Sequence, residues 1–210
     1  MKEKELHDEL TSIRSLMERS SKFISLSGLS GIMAGVYALI GAFVAYQIVY
    51  TRNGFFYTRD YVIANVDDNR GVLYTLIVIA LAVLVLSLAT GAILTKRKAK
   101  RKGQQAWGKS SRNLLFHLAI PLITGGLLCI IFITRGYVGI VAPATLIFYG
   151  LALVSASNYT FGDVKYLGML EIALGLVAAL LPGYGLLFWA VGFGVLHIIY
   201  GSIMYFKYDG

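Results

Sequence analysis

Cysteine occurs once in the 210 residues, at Cys129, and acidic side chains number 11 against 19 lysines and arginines. A single thiol excludes an intramolecular disulfide and a thiolate metal cluster. Charged residues make up only 14% of the chain against 57% hydrophobic, which excludes a sizeable soluble domain because apolar runs consume most of the length. Inside those runs there is one acidic residue, Glu171. No HExxH, GxSxG, P-loop or dinucleotide-binding glycine pattern occurs. Serines such as Ser155 and Ser157 have no histidine and acid placed to activate them. No enzyme activity, cofactor or metal is therefore expected. The amino terminus also lacks the apolar core and cleavage site of a signal peptide.

Six apolar runs are present, at about 23–49, 71–95, 114–134, 140–157, 166–182 and 186–206. A membrane-crossing helix needs about 20 apolar residues. The predicted class is an all-α polytopic membrane protein with six transmembrane helices arranged as three antiparallel hairpins. That domain covers 23–207, and a cytosolic amphipathic helix over 1–22 precedes it. In the latter, Leu6, Leu10, Ile13, Met17 and Ile24 form a helical seam flanked by both charge signs. Mixed charge suits docking on protein, either this chain's own helices or a cytosolic partner, better than a lipid surface.

Orientation follows from the basic residues. Lys96, Arg97, Lys98, Lys100, Arg101, Lys102, Lys109 and Arg112 form a membrane-surface basic loop without an acidic residue. It reads as a topology signal rather than a nucleic-acid patch. With the amino-terminal segment, Lys165 and Lys207 it places fifteen lysines and arginines on one side. Only Arg52, Arg59, Arg70 and Arg135 lie on the other. Both termini are thus expected in the cytoplasm. On the outer side, Asn65, Asp67, Asp68 and Asn69 lack the glycine and closing glutamate of a calcium loop. His117 and His197 differ in depth by about 10 Å, too much to share one haem.

The last two runs turn at Pro182-Gly183-Tyr184-Gly185. Glu171 and His197 lie about 13 residues before and after that turn, which puts both roughly 19 Å below one surface. Gly168, Glu171, Gly175 and Ala178 share one helical stripe, and Ala190, Gly194, His197 and Gly201 another. The two small-residue stripes are expected to face each other, with a Glu171–His197 hydrogen bond or ion pair between them. Such a pair either fixes helix packing or, with Tyr200, binds a proton or cation. Gly31 and Gly35 form a similar packing stripe on the first helix.

Gly28 to Gly41 also matches Gly168 to Leu181 at an offset of 140, through Gly28/Gly168, Ile32/Ile172, Gly35/Gly175 and Ala38/Ala178. This reads as a faint internal repeat. The spacing of Gly168, Gly175, Pro182 and Gly183 resembles the hairpin of HdeD-like small bacterial membrane proteins. That resemblance implies a six-helix inner-membrane protein built of repeated hairpins and associated with acid stress. It implies no catalytic residues. The favoured reading is a non-catalytic integral membrane protein of the bacterial cytoplasmic membrane, acting through helix packing and cytosolic partner contacts. Its partners are the lipid bilayer and a protein docked on 1–22, with room for homo-oligomers and no nucleic acid. The alternative is a small proton- or cation-coupled transporter or channel using Glu171 and His197.

Overall fold

The computed structural model describes residues 27–51, 70–101 and 107–208, and every regular element among them is helical. α1 is Gly28–Tyr46, continued by a π-helical turn, Gln47–Thr51. α2 is Arg70–Arg101, α3 Lys109–Thr134, α4 Val141–Ala156 and α5 Val164–Leu180. α6, Gly185–Tyr208, has three pieces: α-helical Gly185–Trp189, π-helical Ala190–Leu196 and α-helical His197–Tyr208. Among the described residues, five helices are long and apolar enough to cross a membrane. α5 has 17 residues, at the lower limit of about 17 for a span. The amphipathic helix expected over 1–22, the loop carrying the rejected calcium pattern and Lys102 lie outside the described residues.

The turns follow backbone chemistry. Gly183, at φ 99°, makes the left-handed bend between α5 and α6, and Gly136, at φ 82°, does the same between α3 and α4. At the start of α3 the Ser111 hydroxyl accepts the Gly108 N–H at 2.8 Å. α2 runs six residues past the expected end at 95. Lysine, arginine and alanine are good helix formers, and cations suit a helix carboxyl end. Lys96, Arg97, Lys98, Lys100 and Arg101 therefore ride on helix rather than loop.

The packing corrects one expectation. The two small-residue stripes of α5 and α6 do not face each other. A β-carbon placed on Gly168 would meet Gly150, Leu153 and Val154 of α4, and one on Gly175 would meet Pro143 and Ile147. On α6, Gly201 abuts the Gly28 carbonyl and Ile32 amide of α1, and Gly194 abuts Leu39. Each stripe is thus consumed by a different helix, α5 on α4 and α6 on α1. Chain direction reverses across both crossings. Close backbone approach through small residues gives these contacts their dispersion energy.

The crossings are copies of each other. A β-carbon on Gly150 would meet the Gly168 carbonyl and Ile172 amide; one on Gly201 would meet the Gly28 carbonyl and Ile32 amide. Gly175 meets Pro143 and Ile147, where Gly35 meets Gly194 and Ile198. Gly168 meets Val154, where Gly28 meets Tyr205. One offset of 140 maps α1 onto α5, and one of 51 maps α4 onto α6. The repeat read faintly from the sequence thus recurs in backbone contacts. α3 leans on α4 through Gly125 and Phe148, and α2 on α1 through Val83, Ile79 and Gly41.

Candidate functional site

Glu171, on α5, reaches His197 of α6. It is 0% exposed. Its Oε1 lies 3.4 Å from His197 Nδ1, so counting residues from the turn placed this pair correctly. Of the two expected contacts, the ion-pair spacing is met and the hydrogen bond is not made. His197 Nδ1 lies 3.0 Å from the Gly192 carbonyl, and Nε2 lies 2.7 Å from the Tyr149 hydroxyl. Neither carboxyl oxygen has a hydrogen-bond partner among the described residues.

Local sequence explains each position. Gly192 lies in the π-helical stretch, a distortion often found at functional sites. A β-carbon there would sit 2.5 Å from Glu171 Oε2 and from Leu146 Cδ2, so a larger residue would push these two side-chain ends aside. A carbonyl can only accept, so Nδ1 carries a proton and donates it to Gly192. Nε2 accepts from Tyr149 in the neutral ring and donates to it in the charged ring. The imidazole thus holds two partners in either protonation state. The carboxyl, with no hydrogen bond, is either neutral or balanced by charge on that ring.

The surroundings differ on the two sides of this pair. Toward the Pro182 turn, Phe193 and Trp189 continue His197 as a column of rings, with centroids 6.0 and 5.1 Å apart. Beyond it an apolar cavity of about 220 Å³ is lined by Trp189, Ala142, Thr145 and residues of α1 and α2. Neither Glu171 nor His197 lines it. Toward the opposite end, Tyr149 and Tyr200 pack on Leu153, Val164 and Leu167. The Tyr200 hydroxyl is buried and lacks a partner among the described residues. Farther out, Asp163 accepts from Lys207 Nζ at 2.6 Å and from the Tyr208 hydroxyl at 3.0 Å. The Lys207 ammonium, with Tyr208, holds the Asp163 carboxyl below the usual carboxylate range.

Of the residues nominated from sequence, Glu171 and His197 meet, and Tyr200 sits one turn away. Gly31, Gly35, Gly168, Gly175, Gly194 and Gly201 all sit at close helix crossings. The basic residues lie at the far end, where Lys98 Nζ stands 5.4 Å over the Phe161 ring. His117 stacks on Tyr159 at 4.4 Å, away from the site. Sequence reasoning missed Tyr149, the π-helical kink and the Asp163 cluster. The recurrence of Ile147-Phe148-Tyr149-Gly150 as Ile198-Ile199-Tyr200-Gly201 was the available signal. Among the described residues no three histidine, cysteine or carboxylate groups converge on one point. The chain matches no known protein family, no characterised protein and no solved structure, so its own geometry carries the functional reading.

Proposed function

We propose that this chain is a small proton-coupled membrane transporter or channel, and that Glu171 and His197 are the groups that load and release the proton. Six helices cross the cytoplasmic membrane as three hairpins, with both termini and the basic cluster inside. The apolar helices and the basic asymmetry of the sequence support that arrangement.

The observation that carries the reading is the carboxyl itself, fully buried, 3.4 Å from an imidazole, with both oxygens unpartnered. A polar pair kept only to fix packing would have its hydrogen bonds made, because an unmade one costs about 1–3 kcal/mol. The duplicated crossing sharpens the point. At the positions equivalent to Glu171 and His197, the α1/α4 copies carry Gly31 and Leu146. Each crossing makes the same backbone contacts with only one of the two ionisable groups present.

The test is proton flux. Purified protein in liposomes, with a pH dye inside, is given an acid pulse for the wild type, Glu171→Gln and His197→Ala. Flux above protein-free vesicles that is lost in both variants, with melting temperature kept, supports the proposal. Equal flux in all three, with melting temperature lowered in the variants, returns the pair to a packing role.

A further inference from the structure

Resting on the membrane location proposed above, and not on the proton site, we propose that the apolar cavity beside Trp189 is a phospholipid site. One acyl chain enters it through the slot between α2 and α3, and the phosphate of the same lipid meets Arg135 at the mouth.

The cavity, of about 220 Å³, is walled by α2 from Leu73 to Ala80 and by α1 from Gly41 to Val49. Helix rise makes those walls about 10–12 Å long. The lining is aliphatic or glycine apart from Trp189 and Thr145. The Thr145 hydroxyl is already spent on the Ala142 carbonyl, at 2.7 Å. A buried water needs about two to four polar partners, and this space does not supply them. Apolar cavities of about 150 Å³ stay dry and take up benzene. Drug-sized pockets are larger, about 300–1,000 Å³. The volume between those limits suits one hydrocarbon chain.

The way in is set by how α2 packs. Among the described helices only α1 packs on it extensively, and none of its apolar centre is buried. Ile133 of α3 borders the same cavity as Leu76 and Ala80 of α2, yet α2 and α3 do not pack on each other at length. The slot between them leads from the cavity to the bilayer. An empty void forfeits dispersion contacts, and a lipid tail restores them.

Charge selects the headgroup. Arg135 lies in the turn between two wall residues, Ile133 and Val138, and is exposed. Among the described residues it has no ion pair. The carboxylates there are Asp163, which holds Lys207, and Glu171, which faces His197. A guanidinium matches a phosphate through paired hydrogen bonds. A chain in the cavity tethered to a phosphate at its mouth satisfies both features.

Trp189 reports on the occupant, because Trp107→Phe leaves it the only indole in the chain. The full chain with that change is placed in phosphatidylcholine nanodiscs, and its fluorescence is titrated with phosphatidylglycerol bearing brominated chains, which quench on contact. Saturable quenching is expected, and its loss in Ala80→Phe, which fills the cavity from α2. Arg135→Gln should weaken the phosphatidylglycerol about fivefold, the worth of one basic residue near an anionic headgroup. Brominated diacylglycerol, with the chains and no phosphate, should bind more weakly and ignore Arg135→Gln. Glu171→Gln should bind as the parent does, which separates this site from the proton site.

Three results would overturn the proposal. Unsaturable quenching that is equal in Ala80→Phe would mean that the indole meets bulk lipid only. No quenching in either would mean a closed cavity, or one filled by protein. Diacylglycerol binding as tightly as phosphatidylglycerol would remove the phosphate contact. A chain that stays outside the nanodisc would overturn the site and the membrane location together. Should Ala80→Phe misfold, Ala142→Leu fills the same cavity from α4.

Discussion

The α1/α6 crossing and the α5/α4 crossing place the same glycines against the same backbone atoms, yet only one of each equivalent pair of positions is polar. α1 has Gly31 where α5 has Glu171, and α4 has Leu146 where α6 has His197. The difference separates two jobs. Close packing is done by the glycines and is common to both copies. The carboxyl and the imidazole are additions, one to each copy, that meet between them. Each copy packs with only one of the two groups, so the packing requires neither in particular, and their meeting between the copies is better explained by use than by stability.

The comparison is broken most severely at its shared contacts. A β-carbon on Gly150 or Gly201 would lie 2.5 Å from facing backbone. Gly150→Ala and Gly201→Ala should each cost about 3 kcal/mol despite alanine's better helix propensity. Denaturant unfolding in detergent measures this, and similar losses for the two would confirm that the crossings are equivalent. Gly192→Ala should cost about 2 kcal/mol by crowding Glu171 and Leu146. In a double-mutant cycle with Glu171→Ala, about 1 kcal/mol of that should be coupling.

Making the polar copies resemble the apolar ones sharpens the comparison further. Glu171→Met combined with His197→Leu should leave the fold as stable or more stable, because apolar replacement of buried ionisable pairs is often neutral to stabilising by about 1–4 kcal/mol. Thermal unfolding with a parallel flux assay would show a stable, inactive protein. The smallest effect is at Asp163, whose ion pair with exposed Lys207 is screened by solvent and should contribute little. Its folded pKa is lowered, so this stabilisation is complete above the unfolded carboxyl's pKa. It is lost as pH falls through the lowered folded value. The melting difference between wild type and Asp163→Asn should therefore hold at neutral pH and vanish in acid.

The helices were legible because each apolar run is long and bounded by charge or by proline and glycine. The level meeting of Glu171 and His197 was legible from a tight turn and a fixed helical rise. Which helix each glycine stripe would meet was not. α5 and α6 are apolar on nearly every face, so periodicity carries no direction, and adjacency in sequence favoured the wrong partner. Tyr149 was hidden for a related reason: one of 14 tyrosines, it sits in an apolar run with no charged neighbour to mark it. The π-helical stretch that opens space for the carboxyl depends on packing around Gly192 and leaves no local signature.

The most direct measurement is an infrared pH titration of the carboxyl band, comparing wild type with Glu171→Gln in lipid. A buried proton site predicts a carboxyl signal that changes reversibly with pH, disappears in Glu171→Gln and is displaced in His197→Ala. A wild-type spectrum in which no Glu171 band responds to pH, while the helices stay intact, would contradict it.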